Sequence, residues 1–352
     1  MVRAQSKKKI VVAVTALNAI DSPGPGIAVI RCLREDPDFD IRIIGLSYEA
    51  LEPGIYMHDL VDKTYQIPYP SSGTDILLER IKQINEIEHI DVLIPNFDAE
   101  LYNFIRIDEN LRASGIRTFL PTTESFDARD KVNLGKFAEK YDFKVPPFRV
   151  VFNLNDLNRL TDDPGFPLVV KGKYYDAYIC NSVYETEKAF YRLQAKWGLP
   201  VIIQKFIPGT EYNVAVLGDG KGNSLSSVPM RKLYITDKGK AWAGVTIENS
   251  QLIETAERFV RTTKWRGGCE LEIMMAPDGT PYLLEVNPRF PAWIYLTAAA
   301  GQNQPAALVR LALESQLPEM KEFSAGKIFI RYSWDMIVDI NEFQKISGKG
   351  EL

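Results

Sequence analysis

The sequence predicts a mixed architecture: a parallel α/β unit, then an α+β unit built mainly of antiparallel strands. Three observations carry this. The first third alternates continuous apolar runs with helical patterns. From about residue 148 the pattern changes to antiparallel strands with intervening helices. Further on, Ala276-Pro277-Asp278-Gly279 divides two strand patterns as a hairpin turn would. At 352 residues the chain exceeds the roughly 250–300 residues over which a single core grows, so two or three units are expected.

Residues 10–17 are continuously apolar, as in a strand buried on both faces. The run Pro23-Gly24-Pro25-Gly26 punctuates it, and residues 27–33 have helical spacing. This glycine run lacks GxGxxG spacing, so it reads as a structural turn whose following helix N-terminus is open to an anion. Residues 41–46 form the next strand, and Ile76, Leu77, Ile81, Ile84 and Ile87 fall on one helical face. Residues 91–95 are a further strand, with Asn96, Asp98 and Glu100 beyond its C-terminal end, where such sheets bind ligands. Asp98 and Glu100 are placed there to meet an amino group. A polar stretch at 121–130 marks a boundary, followed by a helix at 131–141 and the breaker Pro146-Pro147. Strands are expected at 167–173, 201–206, 212–217, 269–275 and 282–287, a returning strand within 327–338, and a fraying end at 347–352. The resulting units are 1–121, 122–205, 206–340 and a tail at 341–352.

Composition narrows the function. Net charge is −4, and the single basic cluster, Lys7-Lys8-Lys9, is short and terminal, which argues against a nucleic-acid partner. No apolar run approaches the 18 residues or so of a membrane span, and no small-residue cleavage site follows the first apolar run; a cytoplasmic protein is expected. The three cysteines stand far apart and there are only two histidines, so a metal here must be held by oxygen ligands, which points to Mg²⁺ or Mn²⁺. No Ser-His-Asp or Cys-His arrangement is present.

The most informative segment is Leu283-Leu284-Glu285-Val286-Asn287-Pro288-Arg289-Phe290. Strand alternation puts Glu285 and Asn287 on one face with Arg289 close behind, and puts Glu270 and Glu272 on one face of the preceding arm. If the faces coincide, carboxylates, an amide oxygen and a guanidinium converge, which suits a divalent cation bound to phosphate. Taken alone, such a hairpin is more often a solvated face with a surface ion pair.

What lies upstream changes that balance. Between about 130 and 313 the chain resembles the ATP-grasp superfamily, in the branch of carbamoyl-phosphate synthetase and the carboxylate–amine ligases. Lys131, in Arg129-Asp130-Lys131, looks like the family's first ATP-phosphate lysine, and Lys171, ending Phe166-Pro167-Leu168-Val169-Val170-Lys171, like the second. The segment Gln204-Lys205-Phe206-Ile207-Pro208-Gly209-Thr210-Glu211-Tyr212 resembles the hinge strand that holds adenine. The resemblance implies base pairing to the main chain of Lys205 and Ile207, with Gln204 and Phe206 beside them and Glu211 on the ribose. It also implies that Glu272, Glu285 and Asn287 hold the metal and Arg289 the phosphate. Residues 298–313 resemble the helical segment that follows in the family.

Two departures stand out. The segment after Lys171 holds one glycine, Gly172, where relatives have a glycine-rich loop over the phosphates; Tyr174 and Tyr175 stand there, and Lys173 supplies charge. Pro291-Ala292-Trp293 follows the arginine where small residues are common, and Trp293 and Tyr295 fit an acceptor pocket and core packing equally well. Arg231 is expected to face the acyl phosphate or substrate carboxylate through its bidentate fork.

The resemblance thus implies an ATP-grasp fold with ATP between the central and C-terminal subdomains. ATP and Mg²⁺ would activate a small-molecule carboxylate as an acyl phosphate, which an amine, from an amino acid or peptide, captures. Lys131, Lys171 and Arg289 would draw off charge. It is compatible with a homodimer. A biotin-carboxylase-like enzyme lacks support from an Arg-rich bicarbonate and biotin motif, and a non-catalytic ATP-binding protein is favoured only by the tyrosine loop. A plain dinucleotide enzyme lacks the fingerprint glycines.

Overall fold

A computed structural model of the chain describes residues 9–20, 22–153, 165–173, 176–237, 239–320, 322–333 and 335–352. Lys7, Lys8, Tyr174 and Tyr175, singled out above, lie outside the described residues.

The N-terminal sheet has strands β1 (Lys9–Val14), β2 (Asp40–Ser47), β3 (Lys63–Gln66) and β4 (Val92–Ile94), all parallel, in the order β3-β2-β1-β4. Ile10, Val12 and Val14 of β1 point to helix α1 (Pro25–Arg34), while Ala13 points to α2 (Thr74–Glu88), α3 (Asp98–Arg106) and α4 (Asp108–Ala113). Both faces are therefore covered, which is why these strands read as unbroken apolar runs. In α2 only Leu77, Ile81 and Ile84 are buried; Ile76 and Ile87, expected on the same face, are 55% and 64% exposed. Five apolar positions span more of the helix circumference than its neighbours can cover.

The glycine run acts as a close-packing turn. The amides of Gly24 and Gly26 donate to the carbonyls of Asn18 (2.7 Å) and Ala16 (3.1 Å), and a Cβ on Gly26 would lie 2.1 Å from the Thr15 carbonyl oxygen. Its donors serve the chain's own backbone.

Short helices α5 (Thr123–Ala128) and α6 (Leu134–Tyr141) lead to a second sheet. Lys131 lies in the turn before α6, so this helix starts three residues later than expected. Strands β5 (Phe148–Val151), β6 (Leu168–Lys171), β7 (Ala177–Cys180) and β8 (Val201–Lys205) pair antiparallel in the order β5-β8-β6-β7. Helix α7 (Val183–Trp197) covers them through Ala189, Phe190 and Leu193. Ser182 caps α7 by accepting from the Glu185 amide, and Glu185 accepts from Asn181, a reciprocal arrangement that satisfies two helix-end donors.

The third sheet comprises β9 (Thr210–Asp219), β10 (Ser224–Ile235), β11 (Ala241–Thr246), β12 (Arg266–Met275), β13 (Pro281–Asn287) and β14 (Ile328–Ile330), antiparallel in the order β13-β12-β9-β10-β11-β14. Helix α8 (Ser250–Thr263) packs on one face through Leu252, Ala256, Phe259 and Val260 against Val214, Val216, Leu271 and Ile273. Truncating a residue such as Leu271 to Ala in this close-packed layer costs about 2–5 kcal/mol. On the opposite face Ala215, Leu217 and Met230 pack toward α10 (Gln304–Ala312), beyond the short α9 (Tyr295–Ala299), and so onto the N-terminal sheet. That second face becomes polar at its other end, where the candidate site lies. The bidentate pair of buried Arg310 with half-buried Asp36 (2.8 and 2.9 Å) ties α10 to the N-terminal unit.

The expected fraying tail is instead ordered. Helix α11 (Ile340–Lys349) buries Ile346, and the chain end pairs with β3: the Thr64 amide donates to Leu352 (2.8 Å) and the Leu352 amide to Thr64 (2.9 Å). The periodicity of six residues cannot show that they complete a sheet edge begun almost 300 positions earlier. Among the described residues no helix is long and apolar enough to cross a membrane.

Candidate active site

Strand register builds the site. Glu272 stands opposite Glu285, and Glu270 opposite Asn287, across β12 and β13. On the other side of β12, Glu272 faces Asn213 of β9. Directly paired residues share a face, so Glu270, Glu272, Glu285, Asn287 and Asn213 lie together. The hairpin turn holds this register through the Ala276 amide on Thr280 and the Gly279 amide on Ala276, and Pro288, which has no amide hydrogen, ends β13 directly after Asn287.

Each carboxylate has its own surroundings. Glu270 is buried and accepts from Asn213 Nδ2 (2.7 Å), Trp293 Nε1 (2.7 Å) and Asn287 Nδ2 (3.1 Å). Asn287 Nδ2 also donates to Glu272 (3.1 Å), spanning the two acids. Trp293 therefore supports the acidic cluster directly, a role its position after Arg289 did not reveal. Glu285 meets Lys131 Nζ at 3.1 Å. Burial pushes the pKa values of Glu270 and Glu285 above the usual carboxylate range; Lys131 partly offsets this for Glu285, and the Glu272 charge adds to it for both. For Lys131, burial would lower the pKa, but Glu285 and Glu272 hold it up. Lys171, at the end of β6, is lowered by burial, with Glu285, Lys131, Glu272 and Glu211 the charges that act on it. Lys131 thus meets the acids from the turn before α6, and the charges of the same acids act on Lys171 at the end of β6.

Around the hinge, Gln204 is buried, Lys205 exposed, and Phe206 and Ile207 half-buried. The Lys205 amide is taken by the Pro147 carbonyl (2.8 Å) and that of Phe206 by Pro167 (3.1 Å). A base would meet the carbonyl of Lys205, not its N–H. Gly209 is required by packing, since a Cβ would lie 2.2 Å from the Met275 carbonyl oxygen. Lys173 is half-buried in the turn after β6.

Arg231 is the expectation the geometry corrects. It is exposed and pairs with Tyr212, on the α8 face of the sheet. The neighbouring Lys232 points to the acids and forms an ion pair with Glu211. The reason is a β-bulge: the ladder runs Ser224 to Gly218 and then Ser226 to Leu217, and that one extra residue brings position 232 opposite Glu211. For Lys232 too, burial would lower the pKa, but the charges of Glu272 and Glu211 hold it well up.

The N-terminal unit closes one side. Arg289 Nε donates to Asp98 Oδ2 at 2.8 Å. Burial works to raise Asp98, but Arg289 and Arg129 more than offset it and hold the carboxyl below its usual range. Asp98 is therefore matched to a guanidinium. Glu100 is fully buried and accepts from the Asn96 and Phe97 amides (2.8 and 2.9 Å) and from the hydroxyls of Thr15 and Tyr48. Neither is open to an amine as expected; both anchor structure. Tyr295 lies at the surface of α1, with its hydroxyl on Glu35 and Arg31 over its ring (3.7 Å), which places it in domain packing. Arg331, just past β14, donates to the Ser22 hydroxyl; burial draws its pKa down to about 10, with Glu270 the charge that acts on it. The sequence offered no signal for Arg331 because the element carrying it follows no motif.

The donor set fits a divalent cation. Glu272, Glu285 and Asn287 supply hard oxygens, and burial leaves the acids in want of positive charge. Among the described residues no three Asp, Glu, His or Cys side chains stand close enough to enclose an ion. An ion held here would take only part of its coordination from the protein, a mode that suits Mg²⁺.

A family model described as "ATP-grasp in the biosynthetic pathway with Ter operon" matches residues 199–333. The large chain of carbamoyl phosphate synthase from Thermotoga neapolitana is 21% identical over 231 residues, covering 61% of this chain; the chain spans about a fifth (21%) of that relative's length. Among solved structures, the biotin carboxylase domain of 2-oxoglutarate carboxylase from Hydrogenobacter thermophilus, crystallised with MgADP, ADP and bicarbonate, superposes with a TM-score of 0.68 at 18% identity, covering 89% of this chain and 71% of that one. The L-amino acid ligase of Bacillus licheniformis gives 0.64 at 16% identity, covering 88% and 75%. The superpositions show the ATP-grasp fold. In sequence the chain is similar to the large chains of carbamoyl phosphate synthases, and its residues 199–333 to the ATP-grasp family model.

Proposed function

We propose that the chain is an ATP-dependent carboxylate–amine ligase that forms an amide or peptide bond through an acyl phosphate. The observation that carries this reading is the shared polar face, where Glu272, Glu285 and Asn287 lie together and Glu285 meets Lys131. A carboxylate oxygen of the substrate takes the γ-phosphoryl group as ADP leaves; an amine nitrogen then bonds to the acyl carbon as phosphate departs. Mg²⁺, when bound to Glu272, Glu285 and Asn287, supplies charge neutralisation at the phosphates. Lys131, Lys171 and Arg289 stabilise the charge on the phosphoryl group in transfer, while Lys232 takes the substrate-facing place expected of Arg231. Residues 205–207 and Glu211 hold the nucleoside. Because the Lys232 ammonium rests on Glu211, ribose binding at Glu211 would loosen Lys232 for the substrate. No protein nucleophile is needed, so positioning and electrostatics do the catalysis. Small-molecule amino acids or peptides are the substrate class this reading favours, in a cytoplasmic setting.

The test is a screen of ADP release against pairs of amino acids and small carboxylates, with mass spectrometry of the products. Glu285→Ala and Arg289→Ala should each abolish acceptor-dependent ADP release with the circular dichroism spectrum unchanged. Normal turnover in both refutes the assignment, and bicarbonate-stimulated, biotin-dependent hydrolysis replaces it with a carboxylase.

A further inference from the structure

Glu270 is the acid that the proposed cation site leaves without a part. Alternation along Cys269-Glu270-Leu271-Glu272 puts it on the polar face, opposite Asn287. It is buried, and among the described residues no lysine or arginine lies at ion-pair distance from it. Its partners are neutral donors, and they occupy both oxygens. Oε1 accepts from Asn213 Nδ2 and Trp293 Nε1, each at 2.7 Å, and Oε2 accepts from Asn287 Nδ2 at 3.1 Å. A carboxylate buried on neutral partners is costly to the fold. A glutamine of the same shape would avoid that cost, but it accepts at one end only and donates at the other.

What both accepting ends achieve is seen at Asn287. Carboxylates accept and do not donate, so the amide must turn its nitrogen to them. Its Nδ2 spends one hydrogen on Glu270 Oε2 and the other on Glu272 Oε1, both at 3.1 Å. Oδ1 is thereby turned away from both acids, and among the described residues no donor reaches it. Half a turn of the amide would set Oδ1 against a carboxylate and leave a donor where a cation needs an oxygen. Glu270 itself cannot swing to allow this. Asn213 grips it from β9, and Trp293 grips it from the segment after β13, whose indole is packed in the core shared with α1 and α10.

We propose that Glu270 is a positioning residue for cation binding: clamped by Asn213 and Trp293, it fixes the amide of Asn287 so that Oδ1 is presented to the ion. The inference rests on the cation site of the ligase reading and adds to it the support on which one ligand depends. In Glu270→Gln the glutamine keeps its oxygen for Trp293 and Asn213, so its Nε2 confronts Asn287 Nδ2. Asn287 relieves that conflict by turning, and the ion loses an oxygen.

The test uses the full chain with Mn²⁺ in place of Mg²⁺ and saturating ADP, followed by electron paramagnetic resonance. Glu270→Gln should raise the Kd for Mn²⁺ about tenfold or more, as loss of an outer support of a metal ligand does, while ADP affinity in EDTA stays within about twofold. Line broadening in ¹⁷O-enriched water should show about one more water on the ion, in the place Oδ1 held. Asn287→Ala should give the same two changes. Glu270→Gln placed in that background should then add less than about twofold, because no amide is left to orient. Simple loss of a negative charge would weaken Mn²⁺ in both backgrounds alike. Trp293→Phe removes one donor and keeps an aromatic ring in the core; it should shift the Kd in the same direction, again only where Asn287 is present, and it decides the matter if Glu270→Gln does not fold. A Kd within about twofold of wild type, an unchanged water count, or equal losses with and without Asn287 overturns the inference. A wild-type chain that binds neither Mn²⁺·ADP nor Mg·ATP by calorimetry sinks the ligase reading, and this inference with it, so the two failures are told apart.

Discussion

Glu52 has one carboxylate oxygen, Oε1, that accepts from the Tyr48 and Glu49 amides (2.6 and 3.1 Å), and another, Oε2, that is buried with no partner. Burial pushes its pKa up to about 7. The native state therefore prefers the protonated acid more strongly than the unfolded chain does. The penalty is absent below the unfolded value near 4.5, grows as pH rises, and is fully present above about 7. Glu52→Gln keeps an acceptor for both amides and removes the charge, so it should stabilise the protein by roughly 1–3 kcal/mol at pH 8 and change little at pH 4.5. Urea titrations at the two pH values check this; equal effects at both would contradict it. Lys232 and Arg231 offer a second comparison. Lys232→Met should cut turnover about a hundredfold or more by removing the cation beside the acids, whereas Arg231→Met, on the far face, should stay within about twofold. Steady-state rates decide, and equal losses in the two variants would restore Arg231. The reversal shows what single residues conceal. Residue type made Arg231 the better ligand for an anion, but the face it occupies depends on a bulge near Ser226 that no local pattern announces.

At the scale of elements, legibility followed self-sufficiency. The β12–β13 hairpin was readable because its turn chemistry and its alternation both lie within about 20 adjacent residues, and register then follows. The parallel strands were readable because burial on both faces leaves an unbroken apolar run. Helix α11 was not, since its reason for existing lies elsewhere in the chain: Ile346 enters the core shared by β1 and α10, and the residues after it pair with β3. Arg80 reinforces this edge through the Gly350 carbonyl (3.2 Å). Ile346→Ala should therefore cost about 2–4 kcal/mol in urea unfolding, as an internal cavity does and a frayed end does not. A change below about 0.5 kcal/mol, typical of an exposed position, would mean the terminal helix is dispensable.

For the whole molecule, the site exists only because three sheets meet. The third sheet brings the acids, the segment leading into the second brings Lys131, and the N-terminal unit brings Asp98 to Arg289. The sequence suggested which residues would gather on the hairpin but not which pairs would form, because the Arg289–Asp98 contact joins positions 191 apart. Assembling like charges in this way has a consequence for pH. Burial raises Glu270 and Glu285 above ordinary carboxylates, so around and below those raised values each is partly protonated in the ligand-free fold. As pH rises through that window, the ligand-free state loses the stability that protonation gave it. A divalent cation needs these oxygens ionised, so binding of Mg²⁺ with nucleotide must expel their protons and strengthen as pH increases. The stabilisation conferred by a fixed excess of Mg·ADP should thus be larger at pH 8 than at pH 5.5, and calorimetry in buffers of different ionisation enthalpy at the lower pH should register proton release. Glu285→Gln should weaken binding and flatten that dependence together, because the same oxygen supplies both. If the thermal shift with Mg·ADP is the same at the two pH values and no protons are released, the nucleotide's cation is not resting on this acidic face, and its ligands must be sought elsewhere in the cleft.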